Sequence, residues 1–270
     1  MHATESLPSV FVSHGAPDIL LSKSPAVDAM ENLARRFPDP RAIVVVSAHW
    51  SDNPVGVTTG GQLSTIHDFG GFPQALYDMK YAAVGDDELS SGIARRLGEK
   101  GFEYRMVEKR GLDHGAWIPL RIMYPAAQVP VVQVSLPTGS FDELVRLGAA
   151  LRPLREKGVL VMGSGGSVHN LRALRHGGPA HDWVVQFEQW LLAAVDGNQF
   201  ERLITPSGFP AIFSQAHPSL EHYAPLVVAW AAGDPDQPGR RIHHSFTYGN
   251  LGMSCFEFGN RYGVTSRCDS

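Results

Sequence analysis

The sequence has few cysteines and few charged residues. Two cysteines, Cys255 and Cys268, occur among 270 residues, and they form no CxxC pair, so a disulfide scaffold and a thiolate zinc site both lack ligands. Charged residues make up 19% of the chain and hydrophobic residues 43%. This composition provides ample material for a core and excludes disorder as the main feature of the chain.

Positive charge and long hydrophobic runs are also scarce. Lys and Arg number 23 against 27 Asp and Glu, a formal net charge of −4, so no broad basic surface is available to attract nucleic acid or an anionic membrane. The longest apolar runs, such as residues 225–232, fall far short of the roughly 18 residues that span a bilayer. Residues 1–8 show no secretory signal. We therefore expect a cytoplasmic protein that has no nucleic-acid or membrane partner.

The chain alternates short β-branched runs with segments of helical period. Residues 10–13, 24–37 and 42–48 are the first such run, helical segment and run. The alternation predicts an α/β fold, a single layered domain over residues 1–270 with a central mixed, mostly parallel sheet flanked by helices. Residues 242–258 are richer in aromatic and β-branched residues, and they predict an antiparallel hairpin added to the sheet.

Several helix ends are marked by capping residues. Ser24 followed by Pro25 predicts a helix N-terminus. Ser140 with Glu143 three residues later predicts a capping box, and Gly158 is expected to end that helical segment.

Four common catalytic signatures are absent. The run Gly163-Ser164-Gly165-Gly166 follows a strand, but Val168 occupies the place of the third glycine of a dinucleotide loop, which makes NAD an unfavoured cofactor. The chain has no GxxxxGK[ST] phosphate loop, no GxSxG elbow and no HExxH zinc motif. A metal site assembled from distant segments is the leading remaining interpretation.

Histidine is abundant, with 12 residues, and several lie at the ends of predicted strands. His14, His49 and His169 follow apolar runs, His114 precedes a helix expected to open near Trp117, and His222 is expected in the first turn of a helix capped by Ser219. A single histidine at such a place is more often structural. Several at equivalent strand ends indicate imidazoles that converge on a divalent metal, because ligands gather at the carboxyl ends of strands in α/β sheets.

Six short motifs occur in a fixed order and together resemble a known family. They are His14-Gly15-Ala16-Pro17, Val44-Val45-Val46-Ser47-Ala48-His49-Trp50, Ile66-His67-Asp68-Phe69-Gly70-Gly71-Phe72-Pro73, Asp113-His114-Gly115, Val168-His169-Asn170-Leu171 and Glu221-His222-Tyr223. The chain resembles the class III extradiol ring-opening dioxygenases, in particular the branch that includes the 4,5-DOPA dioxygenases, over nearly its whole length.

The resemblance implies one divalent metal per chain, Fe(II) for dioxygenase activity, with zinc as an alternative occupant. It implies His14, His49 and His222 as metal ligands. It gives His169 two alternative roles, active-site base or further metal ligand, and it places His114 beside the substrate. Relatives commonly have a carboxylate as third ligand, so Glu221 stays an alternative to its neighbour His222.

The implied reaction opens the ring of a catechol, such as L-DOPA, with O2 to give a product of the muconate-semialdehyde type. The alternative hypothesis is that the chain is a zinc-dependent hydrolase or a non-oxidative metal-binding protein on the same scaffold. His67 and Phe72 are our candidates for the substrate mouth, because binding pockets are mostly apolar with a few polar groups; the alternative is that this loop only anchors its aromatic residues to the core. Assembly into a homo-oligomer is left open.

Overall fold

A mixed sheet of eight strands forms the centre of the protein. The computed structural model describes residues 6–234 and 236–259, so Cys268 lies outside the described residues. The strands of the described residues are β1 (Ser9–Ser13), β2 (Ala42–Ser51), β3 (Val55–Thr58), β4 (Gly61–Gln62), β5 (Val84–Gly85), β6 (Tyr104–Val107), β7 (Val131–Leu136), β8 (Val159–Gly165), β9 (Arg240–His243), β10 (Phe246–Thr247), β11 (Leu251–Gly252) and β12 (Cys255–Phe258). Of these, β4 pairs with β5 and β10 with β11 in two separate two-stranded sheets, and the other eight form the central sheet.

Helices cover both faces of this sheet. The α-helices are α1 (Pro25–Arg36), α2 (Gln74–Tyr77), α3 (Asp87–Glu99), α4 (His114–Met123), α5 (Phe141–Leu151), α6 (Asp182–Asp196), α7 (Phe200–Ile204), α8 (Phe213–Ala216) and α9 (Ala224–Ala232). Short 3₁₀ segments lie at Pro17–Leu21, Arg152–Lys157, Leu171–Ala173 and Pro206–Gly208.

The strand order explains how the histidine-bearing segments come together. The sheet runs β6-β3-β7-β2-β8-β1-β12-β9, and β7, β2, β8 and β1 are mutually parallel. Their carboxyl ends therefore share one edge of the sheet, where α/β proteins bind ligands. The predicted α/β class and its mixed, mostly parallel sheet are confirmed.

Two separate apolar layers hold the helices against the sheet. One layer contains buried residues of α1 and α4, and the other contains buried residues of α3, α5, α6 and α9. All nine residues of α9 are buried, which is why that helix shows no amphipathic pattern in the sequence. Burial at roughly 25 cal/mol per Å² of apolar surface makes these two layers the main source of folding free energy.

The capping signals are confirmed at α1 and α5. The Ser24 hydroxyl accepts a hydrogen bond from the Val27 amide, and Ser140 and Glu143 form a capping box. Gly158 ends the 3₁₀ segment after α5 in a left-handed conformation, with φ of 73°, which glycine adopts without steric cost.

Three boundaries differ from the sequence prediction. The helix near Trp117 begins earlier, at His114, because the Asp113 carboxylate caps it. The helix after Ser219 begins later, at Ala224, so Glu221 and His222 lie in the preceding turn. The predicted C-terminal hairpin is an antiparallel pair of β9 and β12 at the edge of the sheet, but β10 and β11 occupy the long connection between them. Among the described residues, no helix is long and apolar enough to span a membrane.

Candidate metal centre

The sheet register places two histidines on either side of one serine. Ser164 on β8 is in register with Val12 on β1 and with Ser47 on β2. His14 and His49 each lie two residues beyond those partners. Since side chains alternate between the faces of a strand, both rings lie on the same face as the Ser164 hydroxyl.

The tautomer of His14 follows from its hydrogen bonds. The Ser164 hydroxyl donates its one hydrogen to the Gly115 carbonyl, so its oxygen accepts from the Nδ1–H of His14, 3.0 Å away. The proton on Nδ1 leaves a lone pair on Nε2 of His14. That nitrogen lies 3.1 Å from Nε2 of His49.

Backbone contacts hold the third histidine, His222, over the end of β8. The Gly166 amide donates to the His222 carbonyl at 3.0 Å, and a Cβ on Gly165 would lie 2.3 Å from that carbonyl oxygen. Glycine is therefore required for this close approach. The Glu221 carboxylate accepts from the Ser219 hydroxyl at 2.8 Å and lies 3.4 Å from Nδ1 of His222. It occupies the Nδ1 side of the ring and leaves Nε2 available.

The three histidines fit a transition-metal ion. Their candidate ligand nitrogens all lie within 4.8 Å of one another. Two nitrogens bound about 2.1 Å from one metal lie about 3.0–3.4 Å apart, which is the separation found between His14 and His49. Neutral imidazole is a good ligand for iron, zinc and copper.

Burial keeps these imidazoles neutral. Desolvation, followed by the neighbouring imidazoles, lowers the pKa of His14 well below 6.5 and lowers the pKa of His49 to about 2. Burial also lowers the pKa of His222, although Glu221 opposes the shift. Each ring therefore presents a lone pair instead of a positive charge near neutral pH, as a cation site needs.

His169 lies beside His222 in a different orientation. The two rings are stacked, with centroids 3.4 Å apart and planes inclined by only 7°. An imidazole binds a metal through a lone pair in the plane of its ring, and the lone pairs of these two stacked rings lie in separate, nearly parallel planes. Burial first, and then His222, lower the pKa of His169 to about 3.

His114 lies on the opposite side of the group, at the first residue of α4. Its ring centroid is 3.8 Å from that of His49 and 5.5 Å from that of His14. Asp68 contacts it twice: Oδ1 accepts from the His114 amide at 2.9 Å and lies 3.0 Å from Nδ1 of the ring. Burial raises the pKa of Asp68, but the bonds and charge of His114 outweigh that effect and lower it to about 2.

The two candidates for the substrate mouth lie in an aromatic cluster above α4. The His67 Nε2–H donates to the Met79 carbonyl at 3.0 Å, and its ring packs against Trp117 at 5.6 Å. Phe72 packs on Phe69 at 5.6 Å. Phe69 itself lies 5.6 Å from His114. Neither His67 nor Phe72 belongs to the metal-binding groups found among the described residues, and their contact with substrate stays a prediction.

Two residues of the site, Ser164 and Asp68, were not predicted from the sequence. Ser164 lies inside an apolar strand, and its role depends on register with β1, which no local pattern shows. Asp68 lies within the quoted His-Asp-Phe-Gly-Gly-Phe-Pro motif, next to a histidine, and that adjacency is the only signal that the sequence offers.

A mostly parallel sheet with converging imidazoles at its carboxyl edge is typical of a metal-dependent α/β enzyme. Residues 8–259 match the family described as the catalytic LigB subunit of aromatic ring-opening dioxygenase. The chain therefore belongs to the LigB family and is an extradiol aromatic ring-opening dioxygenase. The family implies a metal cofactor and, as small-molecule partners, a catechol and O2.

Curated relatives match the chain over most of its length. The 4,5-DOPA dioxygenase extradiol of Beta vulgaris is 35% identical over 257 residues, which cover 92% of this chain and 95% of the relative. The 4,5-DOPA dioxygenase extradiol of Escherichia coli strain K12 is 33% identical over 262 residues, covering 94% and 95%. A crystal structure of an uncharacterized protein from Escherichia coli K12 matches with a TM-score of 0.79 and 27% identity, over 94% of this chain and 100% of that chain.

Proposed function

We propose that this dioxygenase uses Fe(II), held by His14, His49 and His222, to open the ring of a catechol amino acid such as L-DOPA. The observation that carries the proposal is the group of three neutral imidazoles whose Nδ1 sides face Ser164, Asp68 and Glu221. The relatives named 4,5-DOPA dioxygenase extradiol support the choice of first substrate. The expected product is of the muconate-semialdehyde type.

The protein's part in metal binding is to present three lone pairs and to leave other positions open. Fe(II) held by these residues would supply open coordination positions for small-molecule reactants and the redox chemistry that oxygen activation needs. Glu221 is proposed to orient the His222 ring and not to bind the metal, because its carboxylate faces Nδ1 of that ring.

His169 is the proposed base for the catechol hydroxyl. Its ring is parallel to His222 instead of sharing a plane with it, which favours a place beside the metal over a place as fourth ligand. Burial lowers the pKa of His169 to about 3, which is too low for an efficient base near neutral pH. The negative charge of a catechol oxygen next to the ring would raise that pKa towards the value that proton transfer needs. His114, on the other side of His49, is placed to hold or return a proton to substrate oxygen.

Aromatic side chains form one wall of the proposed substrate pocket. Phe69 meets His114 edge to face, with planes at 89°, and Phe72 extends that wall. A flat apolar wall suits a catechol ring, because aromatic pairs in such arrangements are favoured by about 0.5–1.5 kcal/mol.

The three-imidazole donor set also accepts zinc, which binds nitrogen ligands in tetrahedral sites. The metal-free protein should therefore bind both ions, but only the Fe(II) form should consume O2 with a catechol. Loading the same preparation with each ion in turn and measuring metal content beside O2 uptake separates binding from activity.

A panel of catechols tests the substrate. Anaerobic protein loaded with Fe(II) is mixed with L-DOPA, dopamine, protocatechuate or catechol, and O2 uptake and product spectra are recorded. We expect L-DOPA to give O2 uptake and a yellow product. Equal or faster turnover of catechols that lack the amino-acid group would contradict L-DOPA as substrate while leaving the reaction class intact.

A further inference from the structure

The part of β2 that carries His49 lies in an irregular stretch of the sheet. The pairs between β2 and β8 end at Ser47, and the register of β2 with β7 shifts between Val46 and Ser51. The His49 amide donates to the Ser47 hydroxyl at 3.2 Å. Because regular ladder pairing is interrupted at such a shift, the position of His49 depends on what holds that hydroxyl.

The Asp113 carboxylate connects the Ser47 hydroxyl to the first turn of α4. Its Oδ1 accepts from the Ser47 hydroxyl at 2.7 Å and from the Ala116 amide at 3.2 Å. The next residue, His114, begins α4, and its ring centroid lies 3.8 Å from that of His49. One carboxylate oxygen therefore links the segment of the proposed metal ligand to the helix of the substrate-side histidine.

The second oxygen of Asp113 fixes the carboxylate itself. Oδ2 accepts from Nη2 of Arg110 at 2.8 Å and from the side-chain amide of Gln133 on β7. Asp113 and Gln133 are buried, and the charge of Arg110 pairs with that of the carboxylate, as a buried charge requires. The Arg110 guanidinium also packs 4.3 Å from the ring centroid of Trp50, the neighbour of His49. Each carboxylate oxygen thus has two donors, which matches the acceptor capacity of an ionised carboxylate.

We propose that Asp113 is a positioning residue that sets the separation of the His49 and His114 rings, through Ser47 on one side and the first turn of α4 on the other. This inference rests on the proposed function, which assigns His49 to metal binding and His114 to proton transfer. It adds that the carboxylate that caps α4 also fixes the geometry of the site. Groups beyond the ligands of a metal act in this way when they fix the orientation of those ligands.

Two substitutions interrupt this connection at different points. Ser47→Ala removes the hydroxyl that accepts from the His49 amide and keeps the cap of α4. Asp113→Asn also keeps a good N-cap residue, but either orientation of its amide turns the NH₂ group towards two hydrogen-bond donors. The four bonds of the carboxylate therefore cannot all be retained.

The first readout needs neither metal nor substrate. Ring centroids 3.8 Å apart predict a strong NOE between carbon-bound ring protons of His49 and His114 in the metal-free protein, with signals assigned from His49→Ala and His114→Ala. We expect this NOE to weaken or disappear in Ser47→Ala and in Asp113→Asn.

The second readout is Zn²⁺ affinity by chelator competition. It should fall about 10–100-fold in Ser47→Ala and in Asp113→Asn, as is usual when an outer partner of a ligand is lost. The double variant should lose no more affinity than Asp113→Asn alone, because both changes break the same connection. Losses that multiply in the double variant would contradict a shared connection.

The matched control is Asp86→Asn, since Asp86 caps α3 through the Leu89 amide at 2.8 Å and lies 3.5 Å from an arginine, Arg41. It should leave the NOE and the Zn²⁺ affinity unchanged, whatever its effect on stability. An NOE of parental intensity in Ser47→Ala, or a Zn²⁺ affinity equal to that of the parent, would overturn the inference even if Asp113→Asn does not fold. Neither readout uses catechol turnover, so an inactive parent protein whose NOE responds as expected contradicts the proposed function alone.

Discussion

Each of the three proposed ligands has a different polar group on its Nδ1 side. Nδ1 of His14 bonds the Ser164 hydroxyl at 3.0 Å and Nδ1 of His222 lies 3.4 Å from the Glu221 carboxylate, whereas the Asp68 carboxylate lies 3.8 Å from Nδ1 of His49, beyond hydrogen-bond distance. Carboxylate partners make an imidazole more electron-rich than a hydroxyl does. The three ligands are therefore chemically unequal although all are histidines.

Removing the hydroxyl in Ser164→Ala should weaken Zn²⁺ binding to the metal-free protein about tenfold, because His14 loses the acceptor that fixes its tautomer. Isothermal titration measures the affinity. Ser91→Ala, an exposed change in α3, is the control and should have no effect. An affinity in Ser164→Ala equal to that of the parent would show that the hydroxyl does not orient His14.

The two stacked histidines should respond differently to truncation. His169→Ala should retain the bound metal and lose turnover by about 10²–10⁴-fold, the usual contribution of a general base. His222→Ala should lose the metal. Metal content by atomic emission, measured beside O2 uptake with a catechol, checks both. Loss of metal in His169→Ala would instead make that residue chiefly a ligand.

At the scale of the element, the first turn of α4 is pressed against the histidine group. A Cβ on Gly115 would lie 2.4 Å from the Ser47 hydroxyl and 2.8 Å from Cδ2 of His49. Glycine at this position lets the helix bring His114 next to His49.

Gly115→Ala should therefore displace His49, weaken metal binding more than tenfold and destabilise the fold by about 1–3 kcal/mol, the usual cost of overpacking. The control is Gly92→Ala in α3, where a Cβ meets nothing within 4 Å and helix propensity predicts a gain of up to about 1 kcal/mol. Urea unfolding and chelator competition provide the two measurements. A Gly115→Ala protein with the parent's metal affinity would contradict the packing argument.

Local signals predicted some elements well and failed at others for identifiable reasons. The caps of α1 and α5 depend on residues close together in the chain, so Ser24 with Pro25 and Ser140 with Glu143 predict them. Ser219 resembles the same kind of cap, but its hydroxyl bonds the Glu221 carboxylate and the helix starts at Ala224. Sequence spacing alone cannot show whether such a serine hydroxyl caps a helix or bonds a neighbouring carboxylate.

At the scale of the whole molecule, the α/β class follows from the alternation of runs, but the site depends on pairings between distant segments. His14 and Ser164 are 150 residues apart in the chain, and Asp68 reaches His114 from a loop outside the main sheet. Sequence motifs were sufficient to identify the candidate site histidines. They could not show which partner faces each ring nitrogen, because that depends on strand register and loop path.

Several buried neutral histidines make the stability of the metal-free protein depend on pH. Burial, as the largest cause, lowers the pKa of His169 to about 3 and of His217 to about 4, against 6.5 as the ordinary value. Below pH 6.5 the unfolded chain therefore binds more protons than the folded one. The free energy of unfolding should fall as the pH decreases from 6.5 towards 4, by up to about 1.4 kcal/mol per pH unit for each such histidine.

Urea unfolding of the metal-free protein at pH 7.5, 6.0 and 5.0 measures this dependence. His217 donates from Nε2 to the Ser167 carbonyl at 2.9 Å, a bond that the amide of His217→Gln can replace without titrating. That variant should show a slope smaller by about one proton. Stability that is constant from pH 7.5 to 5.0 would contradict the assignment of these histidines as neutral in the folded state.

If His14, His49 and His222 form the site of an extradiol dioxygenase, both atoms of O2 should enter the ring-opened catechol. The most direct measurement mixes the anaerobic Fe(II)-loaded protein and L-DOPA with ¹⁸O2 and records the mass of the product. We expect one ring-opened product that carries two ¹⁸O atoms before exchange with water, and no such product with His49→Ala. A product with an intact ring, or with no label from O2, would contradict it.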